Sequence, residues 1–430
     1  NSTLELIPLS SANLPVQVLR GSTGVASLDM SGEPLSVTDA VTIAHLLLGN
    51  STLELITLSS ANLPVQVLRG STGVASLDMS GEPLSVTDAV TIAHLLLGNS
   101  TLQTITLSAS VRSSRGTRSP CVPLRSVVSL PVQELKDGTQ PLHLACDDLT
   151  DEGAVLVAHL IKGNAVVPTI TLSSSPLPVQ RLKGQRHASS EISLVGEDIT
   201  STDALVIGHL LQDNTTVQAV KLSHFSLPVQ ELTTGALDDV WTFSKKGLMH
   251  TDVVLIASLL HTNSASHLRA LVLHGNRIGD VGAAAIAKGL ESNGGLNLRV
   301  LDISGSMFHH GNIGNVGAAA IGRALASRGA LKLEDLNLNR NTVGNKGATA
   351  IAKGLSSAKG SNLRRLSLSE NSIGYVGVEA IDKALGTNMA LELQWLDLRR
   401  NRFKIINPVL SVDDRTTGLQ VPIRSVLSLN

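Results

Sequence analysis

Leu268-Arg-Ala-Leu271-Val-Leu273-His-Gly-Asn276-Arg-Ile278-Gly279-Asp-Val281-Gly-Ala-Ala-Ala-Ile-Ala-Lys-Gly-Leu290 carries two hydrophobic periods in one short stretch. Leu271 and Leu273 alternate with more variable neighbours, the period-2 pattern of a half-buried strand. From Val281 to Leu290 the small and apolar residues recur with helical spacing. The same frame restarts after 30 residues at Leu298, and again at Leu333, Leu363 and Leu393. The second copy holds five extra residues around Ser306 to Gly311. One strand and one helix cannot bury their own apolar face, so the copies must stack and share a continuous core. The expected architecture is α/β, a solenoid with a parallel inner sheet and outer helices. Helices pack ~8–10 Å apart, about twice the ~4.8 Å between strands, which bends such a stack into a horseshoe. Asn276, Asn341, Asn371 and Asn401 are expected to satisfy backbone groups in the buried turn after each strand.

Upstream the period is longer. Residues 1–49 and 50–98 are identical except for Pro8 against Thr57, and further copies start at Asn99, Asn164 and Asn214. All five contain Leu-Pro-Val-Gln, at Leu14 to Gln17, Leu63 to Gln66, Leu130 to Gln133, Leu177 to Gln180 and Leu227 to Gln230. Leu4-x-x-Ile7-x-Leu9 and Val25-x-x-Leu28-x-Met30 read as short strands. Ser36-Val-Thr-Asp39 is a capping-box pattern ahead of a helix, with Gly49 placed as its C-terminal cap. Proline interrupts a helix, so each unit is predicted as strand, extended link, strand, helix. Fifteen strand cores, from Leu4 to Leu398, would then line one inner sheet.

The Leu-x-x-Leu-x-Leu-x-x-Asn-x-Ile-Gly pattern, with its Gly-Ala-x-Ala-Ile-Ala helix, resembles the ribonuclease-inhibitor class of leucine-rich repeats. The chain is similar in this respect to the repeat regions of NOD-like receptors and Ran GTPase-activating protein. The resemblance is specific over 264–403 and looser over 1–263. It implies a leucine-rich-repeat solenoid in three parts. Residues 1–263 form five double repeats with an inserted basic loop at about 109–127. Residues 264–403 form 30-residue repeats, and 404–430 form a C-terminal cap or a disordered tail.

Composition agrees with a finely divided aliphatic core, since 42% of the 430 residues are apolar and only 2% aromatic. Lys plus Arg is 34 and Asp plus Glu is 35, for a net charge of −1, which removes the electrostatic case for nucleic-acid or acidic-membrane binding. Two cysteines, Cys121 and Cys146, exclude a disulfide scaffold or a Cys-based zinc module. The longest apolar stretch, Val253 to Leu260, is far short of a ~20-residue membrane span. A cytoplasmic monomer is expected.

Candidate chemistry is sparse. His45, His94, His159 and His209 recur at one helix position, but equivalent side chains on successive helices are expected ~10 Å apart. Zinc needs several ligands at ~2 Å. The C-terminal counterparts are Lys288, Arg323, Lys353 and Lys383, so an outward, solvated stripe is expected and no metal site. His309 and His310 are adjacent, with no evident third ligand. The glycines at 279, 314, 344 and 374 repeat in register and mark a tight turn rather than a single phosphate loop. Asn-x-Ser/Thr triplets at Asn1, Asn50, Asn99 and Asn214 read as incidental. The insertion carries Arg112, Arg115, Arg118 and Arg125 without an acidic residue, as a mobile basic loop would.

No catalytic grouping stands out of the repeat, so no enzyme activity and no cofactor are expected. The informative residues lie at outward strand positions: Arg269, Asp302, Glu334, Asp335, Arg364, Arg365, Trp395 and Asp397. Mixed charge with a lone Trp suits protein recognition, because Trp and Arg dominate interface hot spots. The expected function is a non-enzymatic scaffold that binds a protein partner on the concave face. The resemblance to Ran GTPase-activating protein implies an alternative, a GTPase activator acting on a small GTPase.

Overall fold

In the computed structural model the described residues are 6–8, 13–33, 35–109, 127–144, 149–184, 190–212, 214–222, 224–234, 239–260, 267–292, 297–306, 312–327, 332–357, 361–387 and 393–402. The chain packs as two compact units, Asn1–Gln218 and Ala219–Asn430. The division falls inside the fifth upstream copy, ahead of the change of period at residue 264. Among the described residues no helix is long and apolar enough to cross a membrane.

The second unit contains a six-stranded sheet, Val240–Thr242, Ala270–Val272, Val300–Asp302, Asp335–Asn337, Arg365–Ser367 and Trp395–Asp397. All five pairings are parallel, and Trp241, Leu271, Leu301, Leu336, Leu366 and Leu396 lie side by side. Leu271, Leu301, Leu336 and Leu366 are fully buried, so the predicted ladder is the core of this unit. Helices Gly279–Ser292, Asn315–Leu325, Asn345–Ser357 and Tyr375–Thr387 follow successive strands. Helices as crossovers are what parallel strands require.

Two polar ladders join the repeats. Asn371 donates through Nδ2 to Leu338 O (2.9 Å) in the preceding repeat and to Leu368 O (3.0 Å) in its own, while its Oδ1 accepts from Val343 N (3.0 Å). Asn276, Asn341 and Asn401 bond in the same way, as expected for the buried turn. On the helix side, Asp280 Oδ1 accepts from Gly314 N and Gly317 N, both at 2.7 Å. Asn315 and Asn345 do the same for Gly344, Gly347, Gly374 and Gly377. The first turn of each helix thus caps the next helix, satisfying N–H groups that a helix leaves unpaired.

The first unit departs from the predicted strand–link–strand–helix order. Leu55–Thr57 pairs antiparallel with Asn62–Pro64, and a helical turn Val65–Leu68 follows at once. The Leu-Pro-Val-Gln link is therefore a hairpin strand running into a helical turn. Proline fits both, because it ends an edge strand and opens a helix where its missing N–H is not needed. Leu63, Val65 and Leu68 are fully buried, and Gln66 Nε2 donates to Leu53 O (2.7 Å). Each hairpin strand closes its sheet, so the described strands of this unit form separate small sheets in place of one continuous sheet. Thr104–Ser108 and Val127–Pro131 make the longest hairpin and flank the basic insertion. Residues 110–126 and 403–430 lie outside the described residues, as do His309 and His310.

The capping box is present as read. Asp39 N donates to Ser36 Oγ (3.2 Å) and Ser36 N donates to Asp39 Oδ2 (2.8 Å), and the same pairs recur at Ser85/Asp88 and Thr200/Asp203. The helix end differs from the expectation. The cap is Leu48 in the first copy and the equivalent glycine, Gly98, in the second; Asn50 then closes the turn and reaches into the neighbouring layer, donating to Val18 O (2.8 Å) and Leu19 O (3.0 Å) and accepting from Leu53 N (2.8 Å). Asn99, Asn164 and Asn214 repeat this. Asn50, Asn99 and Asn214 are at most 2% exposed, which puts those three Asn-x-Thr amides out of reach of modification in the folded chain. The glycine that matters is Gly70, at φ +81°, where a Cβ would stand 2.8 Å from Asn99 Oδ1.

Replacing Asn371 by Ala strands two buried carbonyls and one N–H, each worth ~1–3 kcal/mol when unsatisfied. Urea denaturation is expected to show a loss of about 2–4 kcal/mol, and Asn371→Asp, of the same shape, a loss at least as large because it sets oxygen against oxygen. An Arg364→Ala control on the surface is expected within ~0.5 kcal/mol of wild type.

Candidate functional site

Period-2 geometry sends alternate residues of the six-stranded sheet away from the Leu ladder. One column reads Val240, Ala270, Val300, Asp335, Arg365, Trp395, and a second reads Thr242, Val272, Asp302, Asn337, Ser367, Asp397, both in strict register. One residue upstream of each strand stand Asp239, Arg269, Arg299, Glu334, Arg364 and Gln394. The face is graded. Its first three strands carry Val240 (42% exposed), Val272 and Val300 beside the charged Asp239, Arg269, Arg299 and Asp302, and its last three carry Glu334, Asp335, Arg364, Arg365 and Trp395 with no exposed aliphatic residue in either column.

Most of the charge is paired across strands. Arg269 Nε lies 3.2 Å from Asp239, Arg299 Nη1 2.8 Å from Glu334 and Arg365 Nε 2.9 Å from Asp335. Glu370 meets both Arg340 (3.4 Å) and Arg400 (3.2 Å). Exposed pairs of this kind contribute only ~0–1 kcal/mol each, so their main effect is to orient side chains and cancel net field. Partial burial raises the Asp335 carboxyl, offset in part by Arg365 and reinforced by Asp302. Burial also opposes ionisation of Asp397, but the hydrogen bonds and charge of Arg399 reverse it and hold the carboxyl below its ordinary value.

The eight residues singled out from sequence all fall on this sheet or one residue upstream of it. Arg269, Arg364 and Arg365 are exposed; Asp302, Glu334, Asp335 and Trp395 are half-buried. Asp397 is 5% exposed and gripped by Arg399 at 2.8 and 2.9 Å, so Arg399 rather than the carboxylate is presented to solvent there. Arg364 is exposed and makes no ion pair among the described residues. Sequence reading missed Val240, Thr242, Val272, Val300, Arg299 and Arg399. Counting outward from each core leucine would have found all but Val240 and Thr242, which precede the 30-residue period yet pair into the same sheet.

The histidine row differs from its expectation. Ring centroids are 5.9 Å apart for His45–His94, 5.7 Å for His94–His159 and 5.6 Å for His159–His209, not ~10 Å. The residue before each histidine is Ala44, Ala93, Ala158 or Gly208, all buried, and small residues at a contact let helices approach closely. Nor is the row a uniformly solvated stripe. His45 is exposed, His94 and His159 are half-buried and His209 is 5% exposed. Burial, with the His209 charge next, pushes His159 down to about 3, and burial pushes His209 down to about 4.

Because both folded-state values lie below the ordinary ~6.5, the unfolded chain binds more protons between those limits. The stability contributed by the neutral rings is complete above about pH 6.5 and is lost as pH falls toward 4 and then 3. Urea midpoints measured at pH 7 and pH 5 are expected to show about 1–2 kcal/mol lost per ring. His159→Gln with His209→Gln is expected to remove most of that difference.

Residues 264–287, 330–352 and 361–381 match the model of the Leucine Rich repeat family. A search of curated proteins gave no match. The crystal structure of an internalin from Listeria monocytogenes aligns with 66% of this chain and 87% of that one, at 16% identity and a TM-score of 0.25. The matched segments contribute the strands Ala270–Val272, Asp335–Asn337 and Arg365–Ser367 and the body of three outer helices, and the six-stranded unit is an α/β stack of leucine-rich repeats.

Proposed function

We propose that the chain is a non-enzymatic recognition scaffold that binds a protein partner on the exposed face of the six-stranded sheet. The single observation that carries this reading is the graded face itself. An apolar patch of Val240, Val272 and Val300, bordered by Asp302 and the Arg269–Asp239 pair, continues in register to Arg365 and Trp395, with Arg364 one residue upstream. Protein interfaces combine an apolar, desolvated centre with Arg and Trp anchors. Prior pairing of Arg365 with Asp335 and of Arg399 with Asp397 holds these side chains in place, which lowers the entropy lost on binding. The repeated strand–helix unit, with helices of 11 to 14 residues, supports placement in the ribonuclease-inhibitor-like subclass.

Trp395→Ala with Arg364→Glu is the decisive variant. Among the described residues Arg364 has no ion pair to break, whereas reversal of Arg365 would also set two carboxylates together beside Asp335. Partners captured by the wild-type chain should bind the double variant at least ~30-fold more weakly, the ~2 kcal/mol scale of hot-spot loss. A Lys383→Glu control on an outer helix should leave binding unchanged. Equal affinity of the double variant would move the site off this face. A small GTPase among the captured proteins, with faster hydrolysis in the presence of the chain, would favour the activator reading.

A further inference from the structure

The row of histidines in the first unit has a property that its packing alone does not require. Each Nδ1 lies against the backbone carbonyl one turn earlier: His45 with Val41 O (2.7 Å), His94 with Val90 O (2.8 Å), His159 with Val155 O and His209 with Leu205 O (both 2.9 Å). A carbonyl only accepts, so the proton of each neutral ring sits on Nδ1 and donates there. Nε2 is left with the lone pair. Metal-binding histidines are oriented in this manner, one ring N–H held by a backbone carbonyl and the other nitrogen on the ion.

We propose that His45 and His94 together bind a first-row transition-metal dication of the Cu2+, Ni2+ or Zn2+ type through their Nε2 atoms. Ring spacing supports one shared ion. With metal–nitrogen bonds of ~2.0–2.1 Å and a ring radius of about 1.2 Å, two imidazoles on one ion place their centroids between about 5.2 Å for a tetrahedral angle and about 6.4 Å for a linear one. The observed 5.9 Å falls inside that window. Imidazole nitrogen suits these ions and not Mg2+ or Ca2+, which prefer oxygen.

Position along the row selects the pair. His45 is exposed and His94 half-buried, so water can complete the coordination shell. His209 is buried, which leaves no room for water around an ion at the far end; the Lys162 charge acts on His94 as well as on His159 and His209 and does not separate the two ends. Among the described residues no group of three or more His, Cys, Asp or Glu converges on a single point. The site is thus a two-histidine clip with its other positions open, either to water or to a donor brought by a partner.

The test is calorimetric titration of the full chain with NiCl2 and with ZnCl2, with MgCl2 as control. A saturable site is expected for the first two and none for Mg2+. His45→Ala, an exposed substitution whose fold is checked by circular dichroism, should weaken binding about tenfold or more, and His94→Ala should do the same. The Cu2+ complex should show two imidazole nitrogens in its electron paramagnetic resonance spectrum, and one in His45→Ala. His309→Ala with His310→Ala should bind as wild type. Unchanged affinity in His45→Ala, loss of binding in the His309/His310 variant, or no saturable binding by the wild-type chain would each overturn the proposal.

Discussion

A buried asparagine amide is the interaction on which the rest of the molecule depends. Stacked strands can bury their leucines only if the chain turns inward after each strand or helix, and every such turn carries carbonyl and N–H groups away from water. A primary amide supplies two donors and an acceptor on one short side chain, which answers both needs at once. Asn371 does this after a strand, and Asn99 does it after a helix. Asn371 sends one of its Nδ2 bonds to the preceding layer and Asn99 sends both, so each amide couples neighbours as well as closing its own turn. Nearest-neighbour coupling of this kind is what makes a repeat array stable without large aromatic side chains. Gly70 shows the constraint from the other side, since the space its missing Cβ would take belongs to Asn99. Cationic side chains add to the same joint, with Lys136 Nζ donating to Asn99 O at 2.5 Å.

Once the amides hold the stack, what remains free to vary is the outward half of each strand. The second unit spends that freedom on charge arranged in cross-strand pairs, so that the face carries little net field yet presents oriented guanidinium groups. In the recognition role proposed for it, such a surface would act by shape and by local donors and acceptors more than by long-range attraction, in keeping with the net charge of −1. The apolar half of the face and its charged half are continuous because strict parallel register carries each column across all six strands.

The histidine row follows from a different packing fact. The residues before each histidine, Ala44, Ala93, Ala158 and Gly208, are small and buried, and the rings of neighbouring layers lie within 6 Å of one another. Closeness and burial disfavour the charged imidazolium, most strongly where the row is covered, while the hydrogen bond at Nδ1 settles the tautomer. One arrangement therefore produces both a depressed pKa at the covered end and lone pairs at the open end.

Much of this was legible in the amino-acid order. The alternation at Leu271 and Leu273, the Asn at 276, 341, 371 and 401, and the Ser36–Asp39 capping box each state a local requirement that the fold then meets, because strand period, turn satisfaction and helix capping act within a few residues. The outward strand positions were equally readable once the period was known. Other features depended on contacts between distant segments. Leu-Pro-Val-Gln folds back as a hairpin because Pro64 and Leu63 find Leu55 and Ile56. Asn50 lies beyond the helix that ends at Leu47, and it closes the turn there because Val18 and Leu19 of the adjoining layer offer carbonyls to it. Val240 joins the six-stranded sheet across the change of period. The spacing of the histidine rings was set by how closely four helices pack, a distance that no single repeat contains. Periodicity determined what each repeat is, and only tertiary packing decided what neighbouring repeats do to one another, since hydrogen bonds and ring contacts between layers have no signature in local order.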